Sequence, residues 1–311
     1  MNDGLHVTAG PDEDGMTARG VLVRAKGVSQ RLIRTIKHGE GHGAGALFIN
    51  GLPARFKDRV RAGDEISLVF PSDQSHFEPQ DIALSVLYED DDLLAVNKQP
   101  GIVVHPTRGH REGTLANAVT YYMQARGEKY APRFVSRLDM NTSGVLLVGK
   151  NSHVQDSLAK QSKAGATKKM YTVVLEGCFE GRLPAAGLID LPIGLPDLED
   201  PRRAVMPVED GGYPSQSAYE VFWEDKGLGI TFAGVRLLTG RTHQIRVHFA
   251  HFGFPVLGDE LYGGPSTLIA RQALHASGFC FEHPRDGRPM KIEAPLPEDM
   301  AGVVSLRNGG A

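Results

Sequence analysis

Between residues 82 and 300 the chain supplies apolar runs of strand length faster than it supplies helices, and the two do not alternate. The runs "SAYEVFWE" (217–224) and "GITFAGVRLLT" (229–239) follow each other with only a short turn between them. A parallel pair needs a crossover of a dozen residues or more, so such neighbours pair antiparallel. Further strand signals stand at 93–96, 102–104, 144–150, 168–177, 278–283 and 289–294. Helices are expected from about Thr114 to Gly127, over "SHVQDSLAKQSKAG" (152–165), and in "GRTHQIRVHFAHFGFP" (240–255). This excess of strands fits an α+β fold with a mixed, largely antiparallel sheet better than a doubly wound architecture. No internal repeat is visible.

At 311 residues the chain accommodates one large domain and a small companion. Residues 1–20 are polar and acidic without periodicity and read as a tail. Residues 21–70 read as a small module, 71–81 as a linker rich in Pro, Ser, Asp and Gln, 82–300 as the large domain, and 301–311 as a second tail. Net charge is -3, yet Leu22 to Arg61 holds nine Lys and Arg against two acids. In "VSQRLIRTIKHG" Val28, Leu32, Ile33 and Ile36 share a helical face behind a Ser29 N-cap, leaving Arg31, Arg34 and Lys37 on the other side. Asn50-Gly51 inside "ALFINGLPARF" marks a hairpin. A cationic helix beside a hairpin suits phosphate contacts, and equally suits a solvated basic surface. Two cysteines are too few for a disulfide framework, and no stretch approaches the ~20 apolar residues of a membrane span. A cytoplasmic location is the expectation.

Two segments of the large domain carry the chemistry. "SRLDMNTSG" (136–144) sets Asp139 between an arginine and turn-forming residues, where an aspartate ordinarily caps a helix or anchors a turn. In "GRTHQIRVHFAHFGFP" Thr242 is the expected N-cap, Arg246 falls on the second turn, Arg241 lies just ahead, and Gly253 terminates the helix. His243, His248 and His251 raise the question of zinc, but their spacing does not converge on one helical face and no cysteine or carboxylate joins them, so no metal is expected.

Taken together, "GIVVHP", "SRLDMNTSGVLLVGK", "KKMYTVVLEG", "TGRTHQIRVHFAHFGFPVLGDELYGG" and "LHASGFCFEHP" occur in an order that resembles the pseudouridine synthases of the large-ribosomal-subunit type. The resemblance covers most of residues 82–298. It implies a mixed sheet with a central catalytic cleft and a cofactor-free isomerisation of uridine to its carbon-linked isomer in folded RNA. Under it Asp139 corresponds to the catalytic aspartate, either as nucleophile at the ribose or as base for a ribose proton. Arg246 corresponds to its basic partner, Tyr171 to the active-site tyrosine, and Arg137 to the residue that fills the gap left by the extruded uridine. His105, Lys98 and Tyr262 are implied to be structural or RNA-facing. Ser136 stands where the family commonly has His. Residues 22–70 resemble a shortened form of the RNA-binding domain first seen in a small-subunit ribosomal protein, which implies RNA contacts for Arg31, Arg34 and Lys37, with Arg241 near the cleft. That family's first helix is not evident, and "GHGAG" (41–45) reads as an insertion. The implied partner is RNA, ribosomal in preference to transfer RNA, with the protein a monomer away from membranes. Two other readings compete. A glycoside or nucleoside hydrolase would pair Asp139 with Asp259, whose "GDELYGG" setting reads instead as a turn. A non-catalytic RNA-binding or assembly factor would not require Asp139, Tyr171 and Arg246 together.

Overall fold

The computed structural model describes residues 4–38, 45–71, 75–107 and 109–306. The small module contains β1 (Gly4–Thr8), α1 (Ala18–Lys26), α2 (Gln30–His38), β2 (Ala46–Ile49), β3 (Leu52–Pro53) and β4 (Glu65–Val69), with its sheet in the order β1-β4-β2-β3. Leu32, Ile33 and Ile36 of α2 are buried while Arg31, Arg34 and Lys37 are exposed, so the expected division of faces holds. Burying each such aliphatic side chain contributes roughly 1.5–3 kcal/mol. Ser29 Oγ accepts the Leu32 amide at 3.2 Å, and Asn50 and Gly51 take the positive φ values of 50° and 79° that a tight hairpin needs.

The opening residues are not the expected tail. β1 pairs antiparallel with β4 and buries Leu5 completely. A five-residue strand between polar flanks is too short to show its period of two. A helix not expected from the sequence precedes α2: α1, capped by Thr17 and closed by Gly27 in the left-handed conformation. Its sequence "ARGVLVRAK" buries only Ala18, Val21 and Leu22, and Gly20 weakens the helical signal. Residues 41–44 of the apparent insertion lie outside the described residues. The described part of the linker is strapped to the large domain: Asn117 Nδ2 donates to Glu78 O at 2.7 Å and Ser75 Oγ bonds Thr120 Oγ1 at 2.8 Å.

The large domain contains β5 (Ser85–Glu89), β6 (Leu93–Lys98), α3 (Leu115–Ala125), β7 (Arg133–Phe134), β8 (Ser143–Gly149), α4 (Ser152–Lys163), β9 (Lys168–Glu176) and β10 (Ala186–Asp190). There follow β11 (Ile193–Gly194), β12 (Ala204–Val205), β13 (Gln216–Asp225), β14 (Ile230–Leu237), α5 (Gln244–His251), β15 (Leu274–Glu282), β16 (Pro289–Glu293) and α6 (Glu298–Leu306). Ten strands form one sheet in the order β10-β13-β14-β9-β15-β8-β6-β5, with β16 on β15 and β7 on β8. Its pairings are antiparallel except β15 with β8, so the sheet is mixed and largely antiparallel as expected.

That parallel seam positions the "SRLDMNTSG" loop, which leads directly into β8. Gly144 has φ 112°, and a Cβ there would run into the backbone of Ala276, its partner on β15. Only glycine permits the two strands to approach at this point. Residues 102–104 do not form the expected strand. The carbonyls of Val103 and Val104 instead accept the first amides of α3, from Leu115 at 2.9 Å and Ala116 at 3.0 Å, serving donors that a helix leaves open. Residues 301–306 are not a tail either, because α6 buries Met300 and Val303 in the main core.

Candidate active site

A cleft of about 790 Å³ is lined by the 136–144 loop, β9 and the start of α5, among them Arg137, Asp139, Tyr171, Arg241, His243 and Arg246. Each element brings its residue for a local reason. Asp139 begins a turn in which its own carbonyl accepts the Thr142 amide at 3.1 Å. Two buried cations hold the carbonyls that follow. Lys98 Nζ donates to Met140 O and Thr142 O at 2.8 and 2.9 Å and to Gln99 O at 3.0 Å, and Arg271 Nη1 donates to Asn141 O at 3.1 Å. Lys98 is wholly buried, which makes it structural rather than RNA-facing. Burial pulls its pKa down to about 7, but three carbonyl acceptors use all three protons of an ammonium, so the geometry fits the charged form. Arg271 is itself held by Asp299 of α6 at 2.6 Å, tying the C-terminal helix to the loop that carries Asp139.

α5 starts one residue later than expected. Its N-cap is His243, not Thr242, which moves Arg246 to the first turn. Gln244 fixes the entry: Oε1 accepts from Arg241 N and Thr239 Oγ1, both at 2.9 Å, while Nε2 donates to Gln216 O and Ser217 Oγ. Ile245 and Phe249 then anchor the helix in the core. His248 is buried and bonds Ser217 Oγ and Leu191 O, and His251 is exposed, so the three histidines do not converge. Among the described residues no group of His, Cys, Asp or Glu is arranged to hold a metal.

Arg246 joins two carboxylates. Nη1 donates to Asp139 Oδ2 at 3.0 Å, while Nε and Nη2 form a fork on Asp259 at 2.7 and 2.8 Å. The side chain of Asp259 is 0% exposed, that of Arg246 7% and that of Asp139 27%. Asp259 is therefore the buried counterion and Asp139 the one that faces the cleft. Asp259 also accepts the amides of Leu261 and Tyr262, which confirms its turn role but adds the contact to Arg246 that the sequence reading missed. It does not offer a second free carboxylate, so a hydrolase pair has no basis. Burial works against the Arg246 cation, yet Asp259 and then Asp139 raise its pKa above the usual arginine value.

Tyr171, on the central strand β9, lines the same cleft. Burial, and then the charge of Asp139, raises its phenol pKa, so it is a neutral hydroxyl on an apolar ring. Arg137 is exposed at the cleft and donates to Thr242 Oγ1 at 3.4 Å. Arg241 sits at the rim with its guanidinium 5.5 Å from the Tyr213 ring. Ser136 and His105 also line the cavity, His105 edge-on to Phe134. Arg31, Arg34 and Lys37 of the small module do not line it. An anionic carboxylate, a neutral phenol and a rim of arginines suit the extrusion and handling of a neutral base attached to a polyanion.

The model of the RNA pseudouridylate synthase family matches residues 92–251, which contain Asp139, Tyr171 and Arg246. The chain belongs to that family. It is an RNA pseudouridine synthase. The Xanthomonas campestris ribosomal large subunit pseudouridine synthase D is 38% identical over 284 residues, covering 86% of this chain and 83% of its own. Its Pseudomonas aeruginosa namesake is 36% identical over 277 residues, with 84% of each chain covered. An uncharacterized RNA pseudouridine synthase of Bacillus subtilis is 36% identical over 284 residues, covering 91% and 96%. The solved structure of human RNA pseudouridylate synthase domain containing 1 superposes with a TM-score of 0.57 at 27% identity, over 70% of this chain and 84% of that one. In a pseudouridine synthase the uracil must leave and rejoin the same ribose, so a cleft walled by a sheet and a helix serves to hold the base while water is excluded.

Proposed function

We propose that this pseudouridine synthase acts on large-subunit ribosomal RNA as a cytoplasmic monomer, with Asp139 as its catalytic carboxylate. The observation that carries the reading is the sorting of two aspartates by one arginine: Asp259 neutralises Arg246 in the interior, and Asp139 presents its second oxygen to the cleft. Such an oxygen serves a covalent ribosyl intermediate or removal of a ribose proton equally well. Tyr171 supplies a ring for the displaced uracil and a hydroxyl for the final proton loss. Arg137 occupies the space that the extruded uridine vacates, and Arg31, Arg34 and Lys37 offer phosphate contacts away from the cleft. The ribosomal preference is supported by the large-subunit relatives and by the small basic module.

Formation of the C5–C1′ bond expels the hydrogen on carbon five, so RNA transcribed with uridine tritiated there reports each turnover. Wild type should release tritium from large-subunit ribosomal RNA and not from transfer RNA, and folded Asp139→Asn should release none. Release from transfer RNA alone overturns the target, and full activity of Asp139→Asn overturns the catalytic assignment.

A further inference from the structure

His243 has no part in the reaction as described so far, yet it is among the few non-glycine described residues with a positive φ, at 58°. For a histidine this conformation costs roughly 1 kcal/mol and persists only where the surroundings enforce it. The side chain lines the cleft, hydrogen-bonded at one ring nitrogen and facing a carboxylate with the other. Nδ1 lies 2.9 Å from the Tyr262 hydroxyl, and Nε2 lies 4.0 Å from Asp139 Oδ1. Tyr262 in turn accepts the Arg203 amide at 2.7 Å, and its ring packs against the Arg246 guanidinium, 5.1 Å away.

The tautomer that gives the Tyr262 hydroxyl hydrogen an acceptor has the phenol donating to Nδ1 while its oxygen accepts from Arg203, and it places the imidazole proton on Nε2, facing Asp139. The two oxygens of Asp139 are distinguished by their neighbours: Oδ2 is bonded to Arg246, and Oδ1 faces Nε2 of His243, which carries the N–H in that tautomer. At 4.0 Å this is an electrostatic contact, and a shift of about 1 Å makes it a hydrogen bond.

We infer that His243, oriented by Tyr262, is a positioning residue that fixes the free oxygen of Asp139 for reaction. The inference rests on Asp139 being the catalytic carboxylate. The groups facing the ring agree with a neutral imidazole: burial first, and the Arg246 and Arg203 cations after it, outweigh the pull of Asp139 and Asp259. A neutral N–H orients the carboxylate without offering a second full charge that would hold it away from the substrate.

The test compares single-turnover tritium release, RNA affinity and melting temperature for wild type, His243→Ala, His243→Gln, Tyr262→Phe and His243→Ala/Tyr262→Phe, beside Asp139→Asn. His243→Ala should slow turnover by about tenfold or more, with RNA affinity unchanged. His243→Gln bears the same backbone strain but keeps an N–H in reach, and should recover most of that loss. Tyr262→Phe keeps its ring on Arg246 and should slow turnover too, while the double variant should be no slower than His243→Ala alone. Should His243→Ala fail to fold, Tyr262→Phe and His243→Gln against wild type carry the same comparison. Turnover at the wild-type rate in His243→Ala or Tyr262→Phe, losses that multiply in the double variant, or a change confined to RNA affinity would overturn the inference. An active Asp139→Asn would overturn the underlying assignment instead.

Discussion

Asp139 and Asp259 share Arg246 but should fail in opposite ways when removed. Asp259 is fully buried and accepts four hydrogen bonds: 2.7 and 2.8 Å from Arg246, 3.1 Å from Leu261 N and 3.3 Å from Tyr262 N. Asp259→Ala leaves a guanidinium that is 7% exposed without its main counterion. Breaking a buried pair in this way costs about 3–5 kcal/mol. At about 2–4 °C per kcal/mol that lowers the melting temperature by about 6–20 °C. Asp139 is 27% exposed and takes one bond from Arg246, so Asp139→Asn should change stability by less than about 1 kcal/mol. Its turnover should nevertheless vanish. Urea unfolding of both variants, beside single-turnover tritium release, measures each side of the comparison. If Asp259→Ala unfolds within 1 kcal/mol of wild type, or if Asp139→Asn is the more destabilised of the two, the division into a buried counterion and a reactive carboxylate is wrong.

Lys98→Met removes the donor shared by Gln99, Met140 and Thr142 carbonyls. Unfolding and turnover measured together should show a loss of about 2–4 kcal/mol and a rate far below wild type, since each stranded carbonyl costs about 1–3 kcal/mol before relaxation. Asp299→Ala frees Arg271, which holds the Asn141 carbonyl, so an alteration in the C-terminal helix should slow turnover while RNA affinity by filter binding stays within twofold. Arg137 is exposed, and Arg137→Ala should weaken RNA binding by about three- to tenfold with no change in melting temperature. Burial opposes ionisation of Asp90, but bonds from His283, Tyr88 and the amides of Asp92 and Leu93 win and hold its pKa far below the usual carboxylate value. A depressed folded pKa gives stability that is present above the unfolded value of about 3.9 and lost as pH falls through the folded one. Melting followed from pH 7 to pH 2 should therefore show an acid limb below about pH 4 that is shallower in Asp90→Asn.

Much of this molecule is local and was legible in the order of residues. β8, β9, β13, β14 and β16 announce themselves because a strand inside a large sheet reads as a short apolar or alternating run, and Asn50-Gly51 marks its hairpin because few other pairs adopt two positive φ values. Asp139, Tyr171 and Arg246 were found through motifs whose order and spacing survive in one dimension. β1, α1 and α6 escaped because each is short and draws its stability from a neighbour: Leu5 from the β4 pairing and its core, Met300 from the main core. The sorting of the site escaped for the same reason. Nothing in "GDELYGG" says that its aspartate meets Arg246, nor in "GRTHQ" that its histidine faces a carboxylate. Arg246 and Asp139 are separated by 107 residues and meet in a fold whose parallel β8–β15 seam Gly144 allows. Which residue types would do the chemistry was thus determined by sequence. Which aspartate would face the cleft and which would stay buried was decided by tertiary structure, because charge and exposure belong to a site only once the chain has closed around it.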